Sequence, residues 1–248
     1  CYTSDQSGVS QVYVVPVRDL TAFREVDPSV QDDFEAGHLA AFWRPGGAGH
    51  GRYVDGTITL TDEFSRNGDY SLRMDIRDTS IMQDDGEGSY TERTELDSRK
   101  RPLVHQEVEI SYSLLIPEDF PVVDTRLVIS QIKQSGLSVG PVVAQRFRNG
   151  RHYLTIRKLR GKSKKQLKFD LPALEPGTWH DMKIEVYFSA QKNGLVKFWM
   201  DGEQVVSFRG RTAHFRGDNK FYHKIGLYRD HMDQPMSIYF DDYKLRSV

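Results

Sequence analysis

The chain has a single cysteine among 248 residues, and that cysteine is residue 1. An internal disulfide framework and a cysteine-based zinc cage are therefore excluded. No stretch of 18 uncharged apolar residues occurs, so no segment is long and apolar enough to cross a membrane as a helix. Eight histidines, at 38, 50, 105, 152, 180, 214, 223 and 231, show no zinc-ligand spacing. Net charge is −1, so bulk charge points to no class of partner. Helix signals are scarce, and no linker rich in Pro, Gly or Ser divides the chain. One domain over 1–248 is expected, with 1–50 as a less regular segment packed on or near it.

What is present can build a core. Hydrophobic residues are 38% and aromatics 11%, too many for disorder along most of the chain. Strand patterns recur at short spacing. In QEVEISYSLLI (106–116), Val108, Ile110, Tyr112, Leu114 and Ile116 share one face; Glu107, Glu109, Ser111 and Ser113 share the other. Segments 56–61, 70–77, 126–133, 152–158, 179–188, 221–229 and 236–245 read the same way. LVKFWM and EQVVSF flank Asp201-Gly202, which supplies the positive φ of a tight hairpin turn. About ten strands with few helices predict an all-β fold, an antiparallel β-sandwich or jelly roll. PGGAGHG (45–51) is expected as a flexible loop.

Charge is unevenly placed. Residues 146–168 hold ten Lys/Arg and no acid, leaving 24 basic against 35 acidic side chains elsewhere. A cationic patch on an anionic protein attracts a polyanion. Arg146, Arg148, Arg151, Arg157, Lys158 and Arg160 fall on its predicted hairpin, with Lys162, Lys164 and Lys165 near the turn. No nucleic-acid motif accompanies them. A solvated hairpin with chance charge bias is the plainer alternative.

Three further segments place polar and ionisable groups on alternate strand positions. Arg93 and Glu95 share a face in TERTELDSRK, and Gln131 and Lys133 do so in SQIKQ. Tyr222, Lys224, Gly226 and Tyr228 share a face in FYHKIGLYRD, with His223, Ile225 and Leu227 opposite. Arg, Gln, Lys and Tyr together suit a site that binds a carboxylate and moves a proton.

RTEL (93–96), QIK (131–133) and YHKIGLY (222–228) resemble, in order, three motifs of jelly-roll polysaccharide lyases. In family 7 alginate lyases these read Arg-Ser/Thr-Glu-Leu-Arg, Gln-Ile/Val-His and Tyr-Phe-Lys-Ala-Gly-x-Tyr. GTWHDMKIEV and VKFWMDGE are similar to segments of the heparin lyase I and glucuronan lyase group. The resemblance spans roughly residues 55–245. It implies a concanavalin-like jelly roll with a groove on the concave sheet, and β-elimination of a uronate polymer, alginate or polyglucuronate above glycosaminoglycans.

That chemistry needs the uronate carboxylate's charge offset, a base for the C5 proton and an acid for the departing O4. The resemblance assigns proton transfer to Tyr228. A free phenol titrates near pH 10, and Lys224 and Arg93 are the cations expected to favour its phenolate. Gln131 and Arg93 are expected on the substrate carboxylate, with Glu95 orienting Arg93. Tyr222, Lys224, Glu95, Arg146, Arg148, Arg157 and Lys158 complete the expected binding set.

The sequence departs from the alginate lyase pattern twice. Lys133 stands for histidine and Asp97 for the motif's last arginine. Lys133 neutralises the carboxylate or, if burial and nearby cations depress its pKa, acts as base with Tyr228 as acid. His50, His105 and His231 are candidates to replace the missing histidine, whereas His180 and His223 fall on inward faces.

No cofactor is needed, no metal ligand set is identified, and a structural calcium, as in some relatives, has no evident oxygen-ligand loop. A retaining glycosidase would need a second carboxylate where Lys100 stands. A noncatalytic carbohydrate-binding module is the stronger rival. Cys1 is where a bacterial lipoprotein would carry its lipid, which would make the protein exported and its only membrane link an anchor. The expected partner is an acidic polysaccharide, not nucleic acid, bound by a monomer.

Overall fold

A computed structural model describes residues 28–45, 57–77, 82–84, 90–100, 102–137, 139–157 and 166–248. Cys1, His50, Lys158, Arg160, Lys162, Lys164, Lys165 and nearly all of the 45–51 loop lie outside them.

The described residues form strands and turns without helix. In chain order the strands are β1 (Val30–Asp32), β2 (Trp43–Pro45), β3 (Ile58–Thr61), β4 (Ser71–Ile76) and β5 (Met82–Asp84). Next come β6 (Tyr90–Ser98), β7 (Glu107–Leu115), β8 (Leu127–Gln134), β9 (Val143–Arg148) and β10 (Arg151–Arg157). β11 (Gln166–Asp170), β12 (His180–Tyr187), β13 (Gly194–Met200), β14 (Glu203–Gly210), β15 (Phe221–Asp230) and β16 (Met236–Ser247) follow. Sixteen replace the expected ten. Three-residue strands such as β1, β2 and β5 carry too little periodicity to be read from sequence.

Two antiparallel sheets result. Sheet 1 runs β14-β13-β12-β7-β16-β4-β3, with β1 also on β16; sheet 2 runs β11-β10-β9-β8-β15-β6-β2, with β5 on β6. The fold is an all-β sandwich. Its interior is the set of residues that alternation predicts. Val108, Ile110, Tyr112 and Leu114 from β7 meet Leu154, Ile156, Ile225 and Leu227 from sheet 2, all at most 2% exposed. Asp201 (φ 51°) and Gly202 (φ 81°) make the β13–β14 turn with both central residues at positive φ, as that hairpin requires.

Polar groups on the core side are satisfied in pairs. His223 lies between Ser130 Oγ (2.9 Å) and Tyr243 Oη (3.1 Å), and burial pushes it down to about 3. Arg229 donates to Glu92 at 2.7 Å and to the carbonyls of Met232 and Gln234, closing one end of the sandwich. His180, at the start of β12, is buried at 8% exposure on the inward face near the sheet end, bonded to Asp201 at 2.7 Å.

Candidate active site

The three motif segments are distant in sequence but adjacent in sheet 2, in the order β6, β15, β8. The register sets Tyr228 opposite Arg93, Lys224 opposite both Asp97 and Gln131, and Tyr222 opposite Lys133. Thr94, Leu96, Ile132 and Ile225 turn inward, so their neighbours Arg93, Glu95, Gln131 and Lys133 share the outer face.

At the centre stands Glu95, 2% exposed. Lys224 Nζ bonds its Oε2 at 3.1 Å, Gln131 Nε2 donates to its Oε1, and Arg93 Nε lies 3.4 Å away. Burial alone would raise the Glu95 carboxyl's pKa. The charges of Lys224 and Arg93 outweigh it and hold the group ionised below the usual carboxylate range. Glu95 lies opposite Gly226, whose φ is 129°. A Cβ there would meet the Thr94 carbonyl oxygen at 2.3 Å, so only glycine lets β15 pass this close to β6.

Tyr228 is packed against two guanidiniums, Arg93 4.1 Å and Arg126 4.9 Å from its ring centre. Arg126 Nη2 also lies 3.4 Å from the Tyr228 hydroxyl, and Asp230 holds that same guanidinium at 2.5 Å. Arg126 thus occupies the place expected for Lys224. Lys224, expected as a substrate contact, is 3% exposed and its ammonium pairs with Glu95 at 3.1 Å.

Arg126 escaped the sequence reading because β8 is irregular. Its register slips between Val128 and Ser130 against β9, and Ile129 and Ser130 both face inward. Strict alternation back from Gln131 puts residue 126 on the core side; the extra residue returns it to the outer face.

Lys133 lies on the same face. Burial first, then the charges of Lys224 and Arg93, lower its pKa, with Glu95 opposing. Arg146 is 7% exposed and donates to Thr155 Oγ1 at 2.9 Å, and among the described residues it forms no ion pair. Burial, then Arg126 and Arg157, push it down to about 10. Such an uncompensated guanidinium is costly to keep and ready for an anion. Arg157 is half-buried, its Nε donating to the Pro141 carbonyl at 3.3 Å. Arg148 lies further out, beside Arg151, Tyr153 and Lys168.

Asp97, which replaces the motif's arginine, is itself paired with Arg44, directly opposite on β2. A guanidinium thus returns to this edge from another strand. Neither His105, near Tyr187, nor His231, between Glu92 and Asp233, contacts Tyr228 or Lys133. Among the described residues no three His, Asp or Glu side chains group closely enough to hold a metal ion.

The chain belongs to the polysaccharide lyase family, whose family model matches residues 34–244. It is a polysaccharide lyase. No curated protein matches it in sequence. Among solved structures it is similar to an endo-β-1,4-glucuronan lyase from the fungus Trichoderma reesei (TM-score 0.63, 16% identity, 85% of this chain and 96% of that one). It is also similar to alginate lyase A1-II′ of polysaccharide lyase family 7 (0.58, 13%, 79% and 85%) and to the cellulose-induced protein Cip1 (0.62, 12%, 88% and 97%). At these identities the likeness is one of fold.

Proposed function

We propose that the protein cleaves an unsulfated polyuronate, polyglucuronate or alginate, by β-elimination at the outer face of sheet 2, with Tyr228 moving the protons. The observation that carries this reading is the Tyr228 hydroxyl on a cationic floor, with Arg93 and Arg126 against its ring and Arg126 3.4 Å from its oxygen. Negative charge forming on that oxygen meets a fixed cation.

The steps balance within the substrate. The C5 hydrogen leaves as a proton to Tyr228, and its electron pair spreads into the carboxylate. That pair closes the C4–C5 double bond as C4–O4 breaks, and O4 departs with a proton. No water is consumed. Arg93, Lys133 and the second amide hydrogen of Gln131 offset the carboxylate's charge, while Glu95 and Lys224 hold Gln131 and Arg93 in place.

A second reading has its own support, because the lowered pKa of Lys133 is what a lysine base requires. Lys133→Arg separates the two. A neutraliser tolerates arginine, with kcat within about tenfold of wild type; a base does not, and about a hundredfold or more is lost.

The overall test is ultraviolet absorbance of 4,5-unsaturated uronate after incubation with polyglucuronate, alginate, heparin, heparan sulfate, chondroitin sulfate and hyaluronan. A rise with polyglucuronate or alginate is expected. Silence on all six, with binding to one, would turn the reading to a binding module. Such polymers lie outside the cell membrane, which fits an exported enzyme.

A further inference from the structure

We propose that the groove holds a second anion-binding subsite, made by Arg148, Arg151, Tyr153 and Lys168, for the carboxylate of a uronate removed from the scissile bond. The proposal rests on the polyuronate reading above and adds where the polymer is held.

The subsite begins at a hairpin. Asn149 (φ 53°) and Gly150 (φ 66°) form a two-residue turn between β9 and β10, which sets Arg148 directly opposite Arg151. Like charges directly opposite on paired strands destabilise a sheet. Among the described residues neither arginine meets a carboxylate. Lys168 from β11 joins them, its Nζ 4.2 Å from the centre of the Tyr153 ring. The nearest acid, Asp170, stands 3.5 Å from Lys168 and is 68% exposed, too solvated to neutralise the cluster. These side chains and Asn149 line one cleft of about 360 Å³. A concave cleft with three convergent cations and a ring floor fits a carboxylate on a sugar.

Its position is defined by the register. Tyr153 lies opposite Arg146, Arg146 opposite Val128, and Val128 opposite Tyr228. Three strand steps of about 4.8 Å separate the cleft from the reacting centre, roughly 14 Å in all. One sugar cannot touch both; a short run of sugars can. Arg146, buried and without a carboxylate partner among the described residues, lies between them. Cations therefore recur strand by strand from Tyr228 toward β11, suiting a polymer with a carboxylate on every sugar. On the other side of Tyr228, among the described residues, Glu95 pairs with Lys224 and Asp97 with Arg44.

The test uses the full chain carrying Tyr228→Phe, so that turnover cannot interfere, with and without Arg148→Ala and Arg151→Ala together. Affinity is read by electrophoresis through gels containing polyglucuronate, alginate or neutral dextran. In the polyuronate that retards the parent more, the double substitution should weaken binding about tenfold at low salt. The difference should shrink with added salt, and dextran should retard neither. A glucuronate trisaccharide, too short to span both places, should lose less than about twofold by competition. The melting temperature should hold or rise, since a like-charge pair is removed. Unchanged retardation, an equal loss for the trisaccharide, or no retardation of the parent by either polyuronate would overturn the subsite. Arginine-dependent retardation without unsaturated product from the wild type would sink the lyase reading alone.

Discussion

The outer faces of the two sheets carry similar charged residues on the same period of two, and they treat them oppositely. On sheet 1 the charges pair within and across strands. Lys183 lies 3.8 Å from Glu109 and 3.6 Å from Glu185, Lys197 binds Glu185 at 2.9 Å, and Arg246 binds Glu109 at 2.7 Å. On sheet 2, Arg146, Arg148 and Arg151 form no ion pair with an acid among the described residues, and Glu95 is sunk beneath its cations. The tyrosines repeat the contrast. Tyr239 on sheet 1 also has an arginine over its ring, Arg73 at 5.6 Å, but its hydroxyl donates to Glu63 at 2.8 Å. Burial first, and then that bond, push the Tyr239 phenol far up. Tyr228 faces a cation where Tyr239 faces a carboxylate. What marks the β9–β10 end of this face is not cation number but cations without a carboxylate partner among the described residues, which cost stability and favour an anion.

The sharpest break of this contrast is Tyr228→Phe, expected to lower kcat by about 10² to 10⁴ with polymer binding kept, while Tyr239→Phe stays within about twofold. Initial rates of unsaturated uronate formation check both. Comparable losses would mean the arginine-flanked phenol on sheet 2 has no special role.

Removing Glu95 tests the buried side of the comparison. Glu95→Ala strands Lys224 in the interior and should cost about 3–5 kcal/mol in urea unfolding. Glu185→Ala, on the solvated ladder of sheet 1, should cost less than about 1 kcal/mol. Similar values for both would show that the Glu95 cluster is no more than surface pairing.

Arg126→Gln should lower kcat about tenfold, roughly 1.4 kcal/mol of charge stabilisation, with KM changed less and Arg126→Lys recovering part of the rate. A change in KM alone would make Arg126 a binding residue.

The smallest effect separates the two faces of β15 itself. His223, on the core face, is held at about 3 against an ordinary 6.5. Below pH 6.5 the unfolded chain takes up a proton that the native chain refuses. His223 therefore supports the fold fully above pH 6.5 and loses that contribution as pH falls toward 3. The urea midpoint of His223→Gln should fall less between pH 7 and 4 than that of the wild type. Parallel curves would show that His223 does not set this dependence.

Most of the site was legible because its residues obey alternation. Arg93 and Glu95, Gln131 and Lys133, and Lys224 and Tyr228 each share a face by parity, and the sheet keeps them so. Arg126 was not legible, since one extra residue at Ile129–Ser130 reverses parity upstream and nothing in the letters announces it. The burial of Lys224 was not legible either, for another reason. Parity assigns a face but not a depth, and Glu95 draws the ammonium into the sheet. The Arg44–Asp97 pair needed knowledge that β2 lies beside β6, which a three-residue strand cannot signal.

Local pattern alone therefore determined the all-β class, the inward set of each long strand, the Asp201-Gly202 turn and the types of residue at the site. These depend on side-chain period and turn chemistry within a few residues. Strand order, the slipped register of β8 and the pairing or isolation of each charge were decided by the tertiary structure. They depend on which distant strand lies alongside, and electrostatic partnership is a property of distance in space.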